Sequence, residues 1–145
     1  MATKKKQSIK KKMSIVVHSG TLDKAYTPLM LAVAGGASDM EVNLFFTFWG
    51  LNFLKKNGLK KAKLPGIMSL FTFMMRRKIK KTGIASLQEL LKEAVESGTV
   101  KLYACTATMA LMNVKKENLI PEVTDFIGAA GFLDIASDSD ITLFI

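Results

Sequence analysis

Cys105 is the only cysteine of the chain and His18 its only histidine. Cys105 follows the apolar run Val100-Lys101-Leu102-Tyr103-Ala104 and precedes Thr106-Ala107-Thr108-Met109-Ala110-Leu111-Met112, the start of a helix. A thiol at a strand-to-helix junction faces unpaired N–H groups and the positive end of the helix dipole, which favour the nucleophilic thiolate. One cysteine excludes an intramolecular disulfide, a CxxC redox pair and a cysteine-built metal site, and with one histidine no His/Cys cluster forms. No metal and no cofactor is implied. A lone thiol can still form a persulfide, a mixed disulfide or a thioester, each completed by an outside partner. The plainer alternative is a small buried hydrophobe.

Other residues could surround such a thiol. His18-Ser19-Gly20 closes a β-branched run, and the ring of His18 is either a general base or a satisfied turn residue. Trp49-Gly50 frames a pocket mouth or packs as core. Met109 and Met112 follow Cys105 by four and seven residues, so a helix would place them on its face as a polarizable wall or as ordinary core. Asp23 and Lys24 bind an anionic group or simply open a helix.

The elements needed to gather these residues are legible as an alternation. Ile15-Val16-Val17 reads as a strand, Leu22 to Gly35 as a helix stopped by Gly35-Gly36, and Glu41 to Phe48 as a strand covered on both faces. Leu51 to Lys56 continues helically with Gly58 as its stop. Ser86 with Glu89 makes a capping box for a helix to Ser97, and the strand before Cys105 follows. Glu122 to Ile127 is a strand or a helical turn, Gly128 to Ala136 a helix, and Ile141 to Ile145 a closing strand. The pattern predicts one α/β domain over residues 13–145, with about five mainly parallel strands and right-handed crossovers. In such a sheet the loops after the strands share one edge, bringing His18, Ser19, Gly20, Trp49, Gly50 and Cys105 together.

The charge of +9 is uneven: residues 1–81 hold 17 basic and 3 acidic side chains, residues 82–145 hold 4 and 9. Residues 1–12 read as a disordered basic arm. No apolar stretch there is long enough for a signal peptide or a membrane span, and the expected location is the cytoplasm. Residues 64–81, a Met- and Phe-rich stretch followed by Arg76-Arg77-Lys78-Ile79-Lys80-Lys81, stand outside the alternation. They suggest first a lid or an oligomer contact, then a core helix, then an interfacial helix on an anionic membrane. The basic blocks allow weak binding to anionic surfaces, but no nucleic-acid-reading signature occurs, so no specific nucleic acid is expected. Strings of the GxGxxG or GxxxxGK[ST] type are also missing.

Ser19-Gly20-Thr21-Leu22-Asp23-Lys24-Ala25-Tyr26, the run FFTFWGLNFLKK from Phe45 to Lys56, and LYACTATMALMNV from Leu102 to Val114 resemble the DsrE/DsrF-like family of sulfur-transfer proteins. The nearest resemblance is to its DsrE2-like branch, loosely labelled peroxiredoxin-like, over nearly the whole chain after residue 12. The resemblance implies a three-layer α/β/α sandwich and a persulfide on Cys105. It also implies relay of sulfane sulfur to or from carriers of the TusA or rhodanese type, in homo-oligomers. "Carrier" describes such a protein better than "enzyme". The branch usually reads Cys-Gln-Met-Ser-Met followed by Met-Gly, whereas here Thr106 replaces Gln and Asn113 replaces Gly. The competing classes are a thiol peroxidase with an external resolving thiol and a non-catalytic basic binding module.

Overall fold

The computed structural model describes residues 10–145. Most of the expected basic arm therefore lies outside the described residues, and Lys12 already belongs to the first strand. The elements are β1 (Lys12–Val17), α1 (Leu22–Ala37), β2 (Glu41–Phe46), a 3-10 helix (Phe48–Leu54), α2 (Gly58–Lys61), a 3-10 helix (Gly66–Phe71) and α3 (Thr72–Lys81). They continue with α4 (Leu87–Glu96), β3 (Val100–Cys105), α5 (Thr106–Leu111), a short 3-10 turn (Lys116–Asn118), β4 (Asp125–Ile127), α6 (Ala129–Ala136) and β5 (Ile141–Phe144).

The five strands form one sheet in the order β4-β3-β2-β1-β5, and every pairing is parallel. Strands β1 to β4 step outward in one direction, so right-handed crossovers lay α1 and α4 on the same face. The step from β4 to β5 runs the other way and carries α6 to the opposite face. Side chains alternate accordingly. Met13, Ile15, Val17, Val42, Leu44, Phe46, Val100 and Leu102 join the large core with Leu22, Ala25, Leu29, Leu87 and Leu90 of the helices, whereas Phe45, Tyr103 and Cys105 cluster with Phe132 of α6. Among the described residues no helix is long and apolar enough to cross a membrane.

Several boundaries differ from the sequence reading, for physical reasons. Helix α1 runs through Gly35-Gly36 to Ala37. Gly35 is a packing residue: a Cβ there would lie 2.7 Å from Val42 Cγ2, so the missing side chain lets helix and strand approach closely. Strand β2 ends at Phe46 because the next residues turn away, with Thr47 N–H bonded to the Val17 carbonyl and Gly50 N–H to the His18 carbonyl. Gly58 opens α2 and stops nothing; the reversal comes one residue earlier, at Asn57 with φ +62°. The capping box forms as expected, with Ser86 N–H donating to Glu89 Oε2 at 2.7 Å and Glu89 N–H to Ser86 Oγ at 3.3 Å. The ambiguous stretch before Gly128 resolves into the three-residue strand β4.

Candidate functional site

Cys105 is both the last residue of β3, in register with Ile127 of β4, and the N-cap of α5. Its backbone is extended (φ −71°, ψ 115°), so its side chain follows the pleat and points to the face beneath α6. There it packs with Phe45, Tyr103 and Phe132, and Phe45 and Phe132 stack with ring centroids 4.7 Å apart. The residue is only 5% exposed. The thiol is therefore covered and not open to solvent at the rim of the sheet: the strand continues through Cys105 and carries the sulfur under the helix.

The environment is apolar on one side and rich in donors on the other. Burial pushes the Cys105 thiol up, but the Thr108 hydroxyl and N–H, the Thr47 hydroxyl and the Ala107 N–H outweigh it and hold the thiol below its ordinary value. Ala107 and Thr108 stand in the first turn of α5, where amides have no partner inside the helix. The sulfur makes no formed cap bond to the helix; the donors favour the thiolate, the form that can accept from them all. Thr47 Oγ1 lies 3.0 Å from Thr108 Oγ1, which also accepts from Phe48 N–H at 3.0 Å. Two hydroxyls carry two protons. One bridges the two oxygens.

The remaining expected residues fall into three places. His18, Ser19 and Gly20 do meet Trp49 and Gly50: a Cβ on Gly20 would lie 2.7 Å from the Trp49 carbonyl oxygen, and Gly50 N–H reaches the His18 carbonyl at 2.8 Å. The His18 ring stands between Phe48 and Phe144, with centroids 5.2 and 5.5 Å away, beside the point where the sheet order reverses. This pair of loops touches the cysteine segment through Thr47 and Phe48. Thr106 is exposed, next to Gly128. Met109 and Met112 pack with the large core on the other side of the sheet. Of the two alternatives, ordinary core is therefore the one found and the polarizable wall is not, because an N-cap residue lies outside the helical repeat and shares no helix face with the residues four and seven beyond it.

Thr47 and Thr108 are the polar neighbours of the thiol that the sequence reading missed. Each left a signal. Thr47 is the single polar residue in Phe45-Phe46-Thr47-Phe48, and Thr108 stands three residues after the cap, the position whose N–H and side chain turn back toward it.

A lone, donor-activated cysteine at the carboxyl end of an interior strand, in a parallel sheet ordered β4-β3-β2-β1-β5, defines an α/β thiol protein of the three-layer kind. The chain matches the model of the DsrE/DsrF/DrsH-like family over residues 9–78 and 62–144, and it belongs to that family. It is 37% identical over 158 residues to the "Sulfur carrier protein DsrE2" of Allochromatium vinosum, covering 93% of this chain and 98% of that one. It is 33% identical over 157 residues to YrkE of Bacillus subtilis, an uncharacterized protein, covering 93% and 97%. Among solved structures, YchN from E. coli superposes with a TM-score of 0.65 at 15% identity, covering 93% of this chain and 99% of that chain. That likeness concerns the fold.

Proposed function

We propose that this chain is a sulfur carrier that holds sulfane sulfur as a persulfide on Cys105 and passes it to a carrier protein of the TusA or rhodanese type. The observation that carries the reading is the set of donors from Thr47, Ala107 and Thr108 around the one cysteine sulfur, which lowers its pKa and so favours its nucleophilic form. Membership of a sulfur-transfer family supports the same chemistry. The Cys105 thiolate attacks the outer sulfur of a donor, and a new S–S bond forms on Cys105. The old bond breaks, its electron pair leaving on the donor's thiolate, or on sulfite when thiosulfate is the donor. An acceptor thiolate then takes the terminal sulfur and returns the Cys105 thiolate. No net oxidant is needed.

Because α6 covers the thiol, loading and unloading require that helix, or the Phe48–Trp49 turn, to move aside. The reading includes a homo-oligomer. Leu133 and Phe144 leave apolar surface uncovered on the α6 side of the sheet, which favours assembly through that side.

Intact mass after incubation with thiosulfate or polysulfide tests the proposal. Wild type gains about 32 Da per sulfur atom and Cys105→Ser gains nothing. Wild type left unmodified by every donor, or a serine variant that loads equally, would overturn it.

A further inference from the structure

Residues 66–81 differ from the rest of the chain in what they show to solvent. Neither their 3-10 helix nor α3 buries a single residue. Ile67, Leu70 and Phe73 are 81%, 79% and 73% exposed, and Met68, Phe71 and Met74 are at least half exposed. Positions 67, 70, 73 and 74 recur at intervals of three to four, so the apolar residues make one stripe along two consecutive helical turns.

The display is held firmly in place. Arg76 Nη2 lies 2.9–3.0 Å from the carbonyl oxygens of Leu59, Lys60 and Ala62, tying α3 to the body. Leu64 N–H donates to Thr72 Oγ1, and that hydroxyl donates to the Ser69 carbonyl. A frayed segment would not show such anchors.

Cations lie against the stripe. Arg77, Lys78 and Lys81 share with Met68, Phe71 and Met74 the walls of an open groove of about 700 Å³. The sequence from Val42 to Gln88 contains ten Lys and Arg residues and no Asp or Glu. Apolar side chains that penetrate and cations that stay at the same level are the two elements of a helix lying in a bilayer interface. Face-to-face stacking of two such segments would set like charges against each other.

We propose that residues 66–81 are a peripheral docking element for anionic phospholipid bilayers. Ile67, Leu70, Phe73 and Met74 enter the acyl boundary and Arg77, Lys78 and Lys81 contact the headgroup phosphates. The sulfur-carrying thiol has no part in this contact, so the two proposals stand or fall separately.

Flotation of the full chain with vesicles tests it. Vesicles rich in phosphatidylglycerol carry the wild-type protein upward, and pure phosphatidylcholine vesicles do so roughly tenfold less. Leu70→Ser with Phe73→Ser lowers uptake by roughly tenfold, and Arg77→Glu with Lys81→Glu does the same at low salt. All four side chains are outside the core, so unchanged circular dichroism and melting confirm that the variants fold. Unchanged uptake by the apolar variant would overturn the proposal, since binding would then come from other cations. It would equally fall if wild type ignored the anionic vesicles while the same two serines shifted its sedimentation mass, because the stripe would then be a contact between copies.

Discussion

On one side of the sheet Ile15, Leu44 and Leu102 are sealed beneath α1 and α4, whereas on the other Phe45, Tyr103 and Cys105 have α6 alone above them. The difference follows from strand order. Three crossovers in one direction stack their helices on one face, and the single reversed crossover supplies eight residues to the other. Hydrophobic stabilisation scales with buried apolar area, so the thick face holds the fold together and the thin face can open locally at much smaller cost. A thiol that must be protected between transfers and exposed during them belongs on the thin side. Had Cys105 been one residue earlier, the pleat would have directed it into the thick core beside Leu102.

The sharpest way to break this contrast is to cut one large side chain from each face. Leu44→Ala, at a completely buried position, removes about 3 kcal/mol or more of stability. It leaves the alkylation rate of Cys105 unchanged at temperatures where the variant is folded. Phe132→Ala removes the ring stacked on Phe45 and costs less, roughly 2 kcal/mol, because solvent enters the space. It accelerates alkylation by at least about tenfold, since the opening step governs access. Denaturant melts and timed reaction with iodoacetamide read both quantities. Equal rates in the two variants would show that α6 does not gate the thiol.

A smaller effect separates the apolar half of the thiol's surroundings from the donor half. Thr108→Val keeps the shape but removes the hydroxyl that favours the thiolate, so the thiol value rises and the pH profile of persulfide loading moves to higher pH. Phe48 N–H also loses its acceptor, at a cost of about 1–2 kcal/mol. The linked stability has a definite sign. The folded thiol ionises below the unfolded one, so the thiolate stabilises wild type relative to the variant fully above the unfolded value, and this advantage fades as pH falls through the folded value. A thiol profile identical in the two proteins would remove the hydroxyl network from the activation.

The alternation of strands and helices is legible in the sequence because each element carries its own period, as Val100–Cys105 and the Ser86–Glu89 capping box do locally. What sequence reasoning could not reach depends on which face a residue turns to. Cys105 is placed at the right junction by spacing, yet whether it is the last strand residue or the first loop residue decides between cover and exposure, and one residue of register is beyond pattern reading. Met109 is misplaced for the same reason, through helical spacing counted from a residue that caps the helix. Gly35 and Gly36 have the composition of a stop, but close packing against β2 and Ser97 gives them their use. Thr47 and Thr108 are 61 positions apart, and only the parallel placement of β2 and β3 brings their hydroxyls together.

Asn113 gives the smallest effect and probes how the chain leaves the site. It takes φ +50°, the left-handed conformation that ends α5, at the position where the DsrE2-like branch usually has glycine. Asparagine tolerates that conformation best among residues with a Cβ, so the departure from glycine preserves the turn. Asn113→Gly is then near neutral, whereas Asn113→Ala loses about 1 kcal/mol because alanine meets the left-handed penalty without asparagine's local hydrogen bonding. Neither change reaches Cys105, eight residues upstream across α5. Thermal melts should therefore order Ala below Asn and Gly, with persulfide loading the same in all three. A fall in loading with the melting temperature unchanged would tie this turn to the thin face and extend the site beyond the first turn of α5.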